Sequence, residues 1–340
     1  MSVIDTLVDG FDAAQQAMFE AIVRPLMFAS GLGHLLEDGY RASAWLLVGL
    51  LQLGLMVAVI GTLQRRRPVE PVTDRAAVRV DVIYTLIHRL GLFRVAMFFL
   101  AQPLWDGLLG WLRLHGLAAW SVDSLWPGVT DIAWVSFLIY LVVLDLVDYG
   151  VHRAQHGWGW WWQLHALHHS QRQMTMWSDS RNHLLDDVLR DSVFVFVGLL
   201  IGIAPTQFLL AVALTQCVES LSHANVRTDF GSVVSRLVVS PQFHRRHHAI
   251  GIGHESAGPG SLGGCNYGVL FPWWDHLLRS AVRDGRYEPT GVRDQLPEHG
   301  ARDYGSGFWA QQALGLRRLG GSVRIGLTAG PTVAGRRIDR

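Results

Sequence analysis

Histidine is concentrated in one part of this chain, and that concentration limits how the chain can fold. Ten of the sixteen histidines lie between His152 and His248, and eight of these form three tight clusters. The clusters read H-R-A-Q-H, H-A-L-H-H and H-R-R-H-H, and they contain His152 and His156; His165, His168 and His169; and His244, His247 and His248. Two further histidines, His183 and His223, stand between them.

The spacing within each cluster suits a metal site. Residues three or four positions apart lie on the same face of a helix, so each cluster directs its imidazoles to one side. Neutral imidazole is the commonest protein metal ligand. Because the clusters supply more nitrogens than one ion uses, the pattern predicts a site for two metal ions. The three clusters must then meet in space.

Composition favours an integral membrane protein. Hydrophobic residues make up 50% of the chain and charged residues only 17%, against about 25% in typical soluble domains. Apolar stretches of membrane-spanning character occur at Ala44–Leu63, Val95–Leu112 and Ile132–Val147. The net charge of +1 gives no reason to expect a nucleic-acid partner. All 29 basic residues are arginine, which is typical of a GC-rich, bacterial genome.

Arginine positions predict the orientation of the chain. Arg65–Arg67 follow the first span, and Arg153 follows the third, so these ends are expected on the cytoplasmic side. A single crossing at Ser192–Ser222 would leave His223 and the last cluster on the opposite side from the others. We therefore expect a short helical hairpin that bends near Pro205, because proline breaks or kinks a helix.

Residue types alone leave the metal open. An all-imidazole site suits iron, zinc, copper or nickel. The H-E-x-x-H pattern of zinc proteases is missing from the sequence. A membrane cytochrome b would need isolated histidines on facing helices rather than triplets. Asp145 and Asp148 lie on the same helical face as His152 and are candidates for supporting its ring; alternatively, they pair with arginine on a neighbouring helix.

The order of the motifs resembles a known family. H-x-x-x-H, H-x-x-H-H, His223-Ala224-Asn225 and a second H-x-x-H-H are similar to the fatty acid hydroxylase / sterol desaturase superfamily of membrane di-iron oxygenases. The lead-in Asp145, Tyr149, His152 and Arg153 resembles its D-x-x-x-Y-x-x-H-R motif, and Asn266-Tyr267-Gly268 with Trp274-Asp275 resembles its N-Y-G…W-D segment. The resemblance covers roughly residues 131–279.

This resemblance implies an activity and a site. The chain would hydroxylate or desaturate a lipid C–H bond with O2, two iron ions and electrons from a separate ferredoxin-like or cytochrome-like protein; purified protein could carry zinc instead. The alternative is a non-catalytic metal- or lipid-binding membrane protein of the same fold. The implied metal ligands are the ten histidines His152, His156, His165, His168, His169, His183, His223, His244, His247 and His248. Candidate catalytic or supporting residues are Asp145, Tyr149, Glu219 and Asn225.

The expected fold is all-α and integral to the membrane, with transmembrane helices, a short helical hairpin and a cytoplasmic, helical, histidine-rich di-metal domain. Four segments are expected: an amphipathic N-terminal segment (1–40), membrane helices with their loops (41–130), a fatty acid hydroxylase-like domain (131–280) and a soluble or disordered tail (281–340). The expected location is the bacterial inner membrane, with the site on the cytoplasmic side. The sequence does not name the lipid or separate hydroxylation from desaturation.

Overall fold

A computed structural model describes residues 3–116, 120–250 and 264–328. Within these ranges the chain is helical and contains no β-strand; a single β-bridge joins Ala249 to Thr290. The helices are α1 (Val3–Met18), α2 (Arg24–Ala29), α3 (Leu36–Leu55), α4 (Gly61–Arg66), α5 (Arg75–Arg89), α6 (Leu92–Leu114), α7 (Ala133–Gly157), α8 (Gly159–His169), α9 (Leu184–Ile201), α10 (Pro205–Ser222), α11 (Gly231–Val234), α12 (Pro241–His247), α13 (Trp273–Leu277) and α14 (Phe308–Thr328). Residues 251–263, which are rich in glycine, and residues 329–340 lie outside the described residues.

Two helices are long and apolar enough to cross a membrane. The first, Gly33–Arg66, contains α3 and α4 joined by a π-helical segment, and the second is α7. A third candidate is the bent pair α5 and Leu92–Ala101, which meet at 54°. Leucine and valine side chains on the first span are exposed, as expected for residues that face lipid. A helix can cross the bilayer because its backbone hydrogen bonds are satisfied within the helix. The expected all-α membrane fold is confirmed.

Helices α9 and α10 form the expected hairpin. Gly202 ends α9 with a φ of 71°, which favours glycine, and Pro205 begins α10. A side chain at Gly202 would lie 2.5 Å from the carbonyl oxygen of Trp120, so the tip packs closely on the loop before α7. His183 precedes α9 and His223 follows α10. The open ends of the hairpin therefore lie together, away from the tip.

The hairpin packs on α7 through an apolar core. Leu141 and Leu144 of α7 contact Ala211 of α10, and Phe194 and Phe208 pack against this cluster. Burying these side chains contributes about 25 cal/mol per Å² of apolar surface. The packing fixes the C-terminal end of α7, which carries the first histidine cluster, between the open ends of the hairpin.

The segment 281–328 packs on the rest of the described chain. Val292 and Tyr304 pack against Trp162 and Ala166 of α8. Helix α14 lies along α8. The tail buries apolar side chains in these contacts. Because its apolar residues are widely spaced, the sequence pattern did not predict this packing.

Candidate metal centre

The first group of buried imidazoles comes from three helices. His152 and His156, one turn apart, project from the end of α7, His169 ends α8, and His247 ends α12. One ligand atom from each lies within 4.8 Å of those of the other three. These four histidines, here called group A, could hold one metal ion.

The second group, here called group B, contains His168, His223, His244 and His248, whose ligand atoms also lie within 4.8 Å of one another. Their Nε2 atoms form a chain in which the distances are 3.1 Å (His168 to His223), 3.0 Å (His223 to His244) and 3.1 Å (His244 to His248). Two nitrogens bound at about 2.0–2.1 Å to one tetrahedral ion lie roughly 3.3 Å apart. The geometry of group B is therefore close to that of a metal-binding set.

Each H-x-x-H-H motif divides its adjacent histidines between the two groups. His169 belongs to group A and His168 to group B, while His247 belongs to group A and His248 to group B. Neighbouring residues on a helix point about 100° apart. Two helices that end beside the same space can thus serve two ions placed side by side, which explains the doubled histidine in both motifs.

Backbone carbonyls orient several of the rings. The Nδ1 atoms of His152, His247 and His223 lie 2.8 Å, 2.6 Å and 2.8 Å from the carbonyl oxygens of Tyr267, Cys265 and Glu219. A carbonyl can only accept a hydrogen bond, so Nδ1 carries the proton and Nε2 presents its lone pair. This is the arrangement that metal-bound histidines use.

The N-Y-G…W-D segment holds one of these carbonyls, that of Tyr267, in place. Asp275 accepts hydrogen bonds from the backbone N–H of Tyr267 at 2.8 Å and of Gly268 at 2.7 Å. A side chain at Gly268 would lie 2.6 Å from the carbonyl oxygen of Phe271, so this turn requires glycine. Asp275 therefore acts on group A through the carbonyl that it positions.

His165 lies between the groups but belongs to neither. Its ring centroid is 5.2 Å from that of His168 and 5.1 Å from that of His169. Its Nδ1 pairs with Asp186 at 3.0 Å, and its buried Nε2 has no hydrogen-bond partner among the described residues. Asp186 also accepts from Gln155 and Trp161, at 2.7 Å and 2.6 Å. The carboxylate thus holds this ring firmly against the site.

His183 is not brought to either group. Its Nε2 lies 2.9 Å from the carbonyl oxygen of Gln312, and its Nδ1 accepts a hydrogen bond from the backbone N–H of Leu185. It therefore caps the N-terminus of α9 and anchors α14. Helix capping accounts for a histidine at this position in the sequence. Both of its ring nitrogens already form hydrogen bonds.

The four candidate supporting residues hold the frame around the groups. Asp145 accepts from the backbone N–H of Leu270 and Phe271 and from the indole of Trp274. Tyr149 lies 2.8 Å from the hydroxyl of Ser280. Neither side chain contacts a histidine of the two groups through these bonds, so both act by fixing the segment 266–280 on α7.

Asn225 and Glu219 have different surroundings. Asn225 accepts from the backbone N–H of Val69 and Glu70 and donates to the carbonyl of Glu70 at 2.7 Å, so it joins the end of the hairpin to the loop after the first span. Glu219 lines the cavity beside group B and lies 3.3 Å from Arg190. Arg190 also forms a double hydrogen bond to Asp148. Asp148 therefore pairs with arginine on a neighbouring helix.

Sequence reasoning missed Asp186 and Arg190. Their signal is the run of charged residues Asp186, Asp187, Arg190 and Asp191 at the start of an otherwise apolar helix. Charged residues at membrane depth are costly and are usually functional. The pattern was visible in the sequence, but the partners of these residues were not.

The donor set fits metal ions. Burial lowers the pKa of His168, His244 and His248 well below the usual histidine value, and the neighbouring imidazoles lower it further. The rings are therefore neutral near pH 7 and can donate lone pairs. The Nε2 atom of His152 is buried and has no hydrogen-bond partner in the described part of the chain, which is costly unless a cation binds there.

Comparison with known proteins agrees with this site. Residues 137–280 match the family model described as Fatty acid hydroxylase. These residues are similar to a fatty acid hydroxylase domain. The domain contains both metal groups and the segment that orients them, and the expected family resemblance is confirmed.

Two relatives extend the likeness. The chain is 25% identical to an ornithine lipid hydroxylase of Rhizobium tropici over 283 residues, which cover 79% of this chain and 76% of that protein. It is 28% identical to a Delta(7)-sterol 5(6)-desaturase of Gibberella zeae over 191 residues, which cover 54% of this chain and 53% of that protein. The match thus spans about half of the sterol desaturase. No solved structure gives a significant match to the chain.

Proposed function

We propose that this protein is a membrane-bound di-iron oxygenase that hydroxylates or desaturates a lipid C–H bond. The observation that carries the proposal is the pair of four-histidine groups, fully buried and side by side. The likeness to a lipid hydroxylase and to a sterol desaturase supports oxidation of a lipid rather than of a soluble substrate. Electrons would come from a separate ferredoxin-like or cytochrome-like protein.

In this reaction the chain would hold the metal ions, orient their ligands and exclude water from the site. Groups A and B would each hold one iron ion, and the bound ions would supply the activation of O2. The carbonyls of Tyr267 and Cys265 fix the rings of His152 and His247, so that ligand geometry is set before substrate arrives. Burial of both groups keeps bulk water from the reacting carbon.

A cytoplasmic position of the site is also proposed. The backbone N–H of Arg227 donates to the carbonyl of Arg67, so the basic residues after the first span lie beside those after the hairpin. Both lie at the histidine end of the molecule, whereas Trp120 and the hairpin tip lie at the other end. The tendency of arginine to stay on the cytoplasmic side supports a site at the cytoplasmic face of a bacterial inner membrane.

A reconstitution experiment tests the proposal. Protein loaded with iron is supplied with O2, a chemical reductant and total lipid extract, and the products are analysed by mass spectrometry. We expect lipids that have gained one oxygen atom or lost two hydrogen atoms, and none without O2. A protein that binds two metals but oxidises no lipid would support the non-catalytic alternative.

A further inference from the structure

Two short segments, 230–238 and 270–283, lie on either side of α12 in the chain and share an exposed apolar surface. The first contains α11 and the second contains α13. Six large apolar side chains of these segments are exposed, and they are here called the flank patch: Val233, Val234, Leu237, Trp273, Leu277 and Leu278. Val233 is 70% exposed and Leu277 is 71% exposed. Apolar side chains grouped in this way mark an interaction surface, whereas single exposed apolar residues are ordinary.

Hydrogen bonds join the two segments into one face. The indole N–H of Trp273 donates to the carbonyl oxygen of Arg236 at 2.8 Å. The guanidinium group of Arg283 donates to the carbonyl oxygen of Ser235 at 2.6 Å and to the hydroxyl of the same residue at 3.1 Å. The halves of the flank patch are therefore held side by side, although α12 separates them in the sequence.

Helix α7 sets the depth of this face. Asp145 is the thirteenth of the 25 residues of α7 and lies about 18 Å from its start, at 1.5 Å per residue. Its carboxylate accepts hydrogen bonds from the backbone N–H groups of Leu270 and Phe271 and from the indole N–H of Trp274. The hydrocarbon core is about 30 Å thick. A span that begins at Ala133 therefore holds the segment 270–274 inside the core, in the half nearer the metal groups.

Apolar packing runs without a break from this span to the flank patch. Leu270 is buried against Leu141 and Leu144 in the middle of α7, and Phe271 packs against the same cluster. The ring of Phe271 stacks on that of Trp273, with 4.2 Å between the centroids. The flank patch thus continues the surface of a membrane-spanning helix. Acyl chains reach a surface at this depth, whereas a water-soluble partner does not.

The same two segments expose three arginines, Arg236, Arg279 and Arg283, and no carboxylate. Among the described residues, no carboxylate forms an ion pair with any of the three; the nearby Asp284 and Glu288 pair with other arginines. Partial burial lowers the pKa of Arg283, and the charge of Arg236 lowers it further, so the two guanidinium groups lie close together. Like charges at short range repel, and an anion between them removes that cost.

The arginines lie toward the metal end of this face. The guanidinium group of Arg283 lies 5.4 Å from the ring centroid of Phe243 in α12, and the next residue, His244, belongs to group B. The segment 270–274 is level with the middle of α7 instead. The face therefore changes from apolar to basic toward the metal end. A membrane leaflet has the same order, since its acyl chains lie deep and its phosphates lie at the surface, where arginine side chains extend to meet them.

We infer that the flank patch inserts into the leaflet on the metal side of the membrane, and that Arg236 and Arg283 together bind the phosphate of an anionic phospholipid in that leaflet. The two segments form an in-plane anchor beside the spanning helices. Because they lie on both sides of α12, the anchor fixes the height of that helix, and of its three histidines, above the acyl chains. This inference goes beyond the proposed oxidation and holds whether or not the chain oxidises a lipid.

Spin labels test the depth of the flank patch. The full chain without its native cysteines is reconstituted in vesicles of phosphatidylcholine and phosphatidylglycerol, with one nitroxide label at Val233, Leu277 or Arg286. Arg286 is the control, because its side chain is 68% exposed and lies outside the flank patch. Collision of each label with O2, which concentrates in hydrocarbon, is compared with collision with a water-soluble nickel complex. We expect labels at Val233 and Leu277 to favour O2, and the label at Arg286 to favour nickel.

Two outcomes of this measurement overturn the insertion. Equal access of the nickel complex to all three labels would show that the flank patch faces water. Labels at Leu277 that are shielded from both reagents and broaden one another's spectra would show that a second copy of the chain covers the patch instead of lipid.

Variants test the phosphate site. Native mass spectrometry compares the phosphatidylglycerol and phosphatidylcholine retained by the purified protein. We expect Arg236→Gln to weaken the preference for phosphatidylglycerol about fivefold, and Arg236→Gln with Arg283→Gln to weaken it roughly 30-fold. Arg236→Lys keeps the charge and should keep most of the preference, and the control Arg286→Gln should keep all of it.

The side chain of Arg236 is exposed, so Arg236→Gln decides alone if the double variant does not fold. An unchanged preference in folded Arg236→Gln protein refutes the phosphate site. An equal loss in Arg286→Gln refutes it as well, because the effect would then be one of overall charge. Neither experiment depends on turnover, so failure of the oxygenase proposal would leave both results interpretable.

Discussion

The division of the histidines into two groups predicts that one substitution removes one metal. His156 belongs to group A and His248 to group B. Replacing either by alanine leaves its own group with three imidazoles and the other group with four. We therefore expect His156→Ala and His248→Ala each to hold one ion per chain tightly, where the unmodified protein holds two.

The size of the effect follows from the ligand count. A four-ligand structural zinc site binds with about 10–16 kcal/mol, so one ligand of four is worth roughly 2.5–4 kcal/mol. Each 1.4 kcal/mol is a factor of ten, and the weakened group should lose about two to three orders of magnitude in affinity. A chelator of intermediate strength will strip the weakened group and spare the intact one.

The assay is elemental analysis of protein purified through such a chelator, with circular dichroism to confirm folding. The matched control is His183→Asn, because His183 lies outside both groups and asparagine can also cap a helix N-terminus. The control should retain two metals. The assignment is refuted if His183→Asn loses an ion, or if both alanine variants still hold two.

Two further predictions concern support and topology. Asp186→Asn keeps the shape of the side chain but removes the charge that holds His165, and we expect activity to fall about 10–100-fold with two metals retained; loss of both metals in elemental analysis would contradict this. In a background without the native cysteines, single cysteines at Arg66 and Arg236 should react with an impermeant thiol reagent from one face only, and a cysteine at Ser124 from the other. If cysteines placed at Gln173 and at Arg236 were labelled from opposite faces, the second and third histidine clusters could not form one site.

The spacing of the histidines along the chain predicted that the clusters converge on two metal ions. It did not predict how the histidines divide between groups A and B. The three- and four-residue intervals gave the faces of α7, α8 and α12, and the need for convergence gave the hairpin near Pro205. The division of His168 from His169 between two ions depends on how α8 and α12 meet. Such an angle is set by tertiary packing and leaves no mark on a single stretch of sequence.

Supporting contacts were the least predictable part of the site. Asp145 was a candidate to support a histidine, yet it binds the N–H groups of Leu270 and Phe271, about 125 residues away in sequence. Asn225 likewise binds the loop at Val69 and Glu70, 155 or more residues away. A carboxylate or amide next to a ligand in sequence can satisfy any buried donor that the fold brings near. Sequence proximity alone therefore does not assign its partner.

The hairpin is short because the charged first two turns of its first helix, α9, belong to the metal site. The first two turns of α9 carry Asp186, Asp187 and Arg190, and each has a partner in or beside the site: His165, His88 and Asp148. Only the ten residues 192–201 of α9 remain, and at 1.5 Å per residue they extend about 15 Å. The hydrocarbon core is about 30 Å thick. A helix that gives its first two turns to the metal site is too short to cross, so the chain must turn at Gly202 and return, and that return delivers His223 to group B.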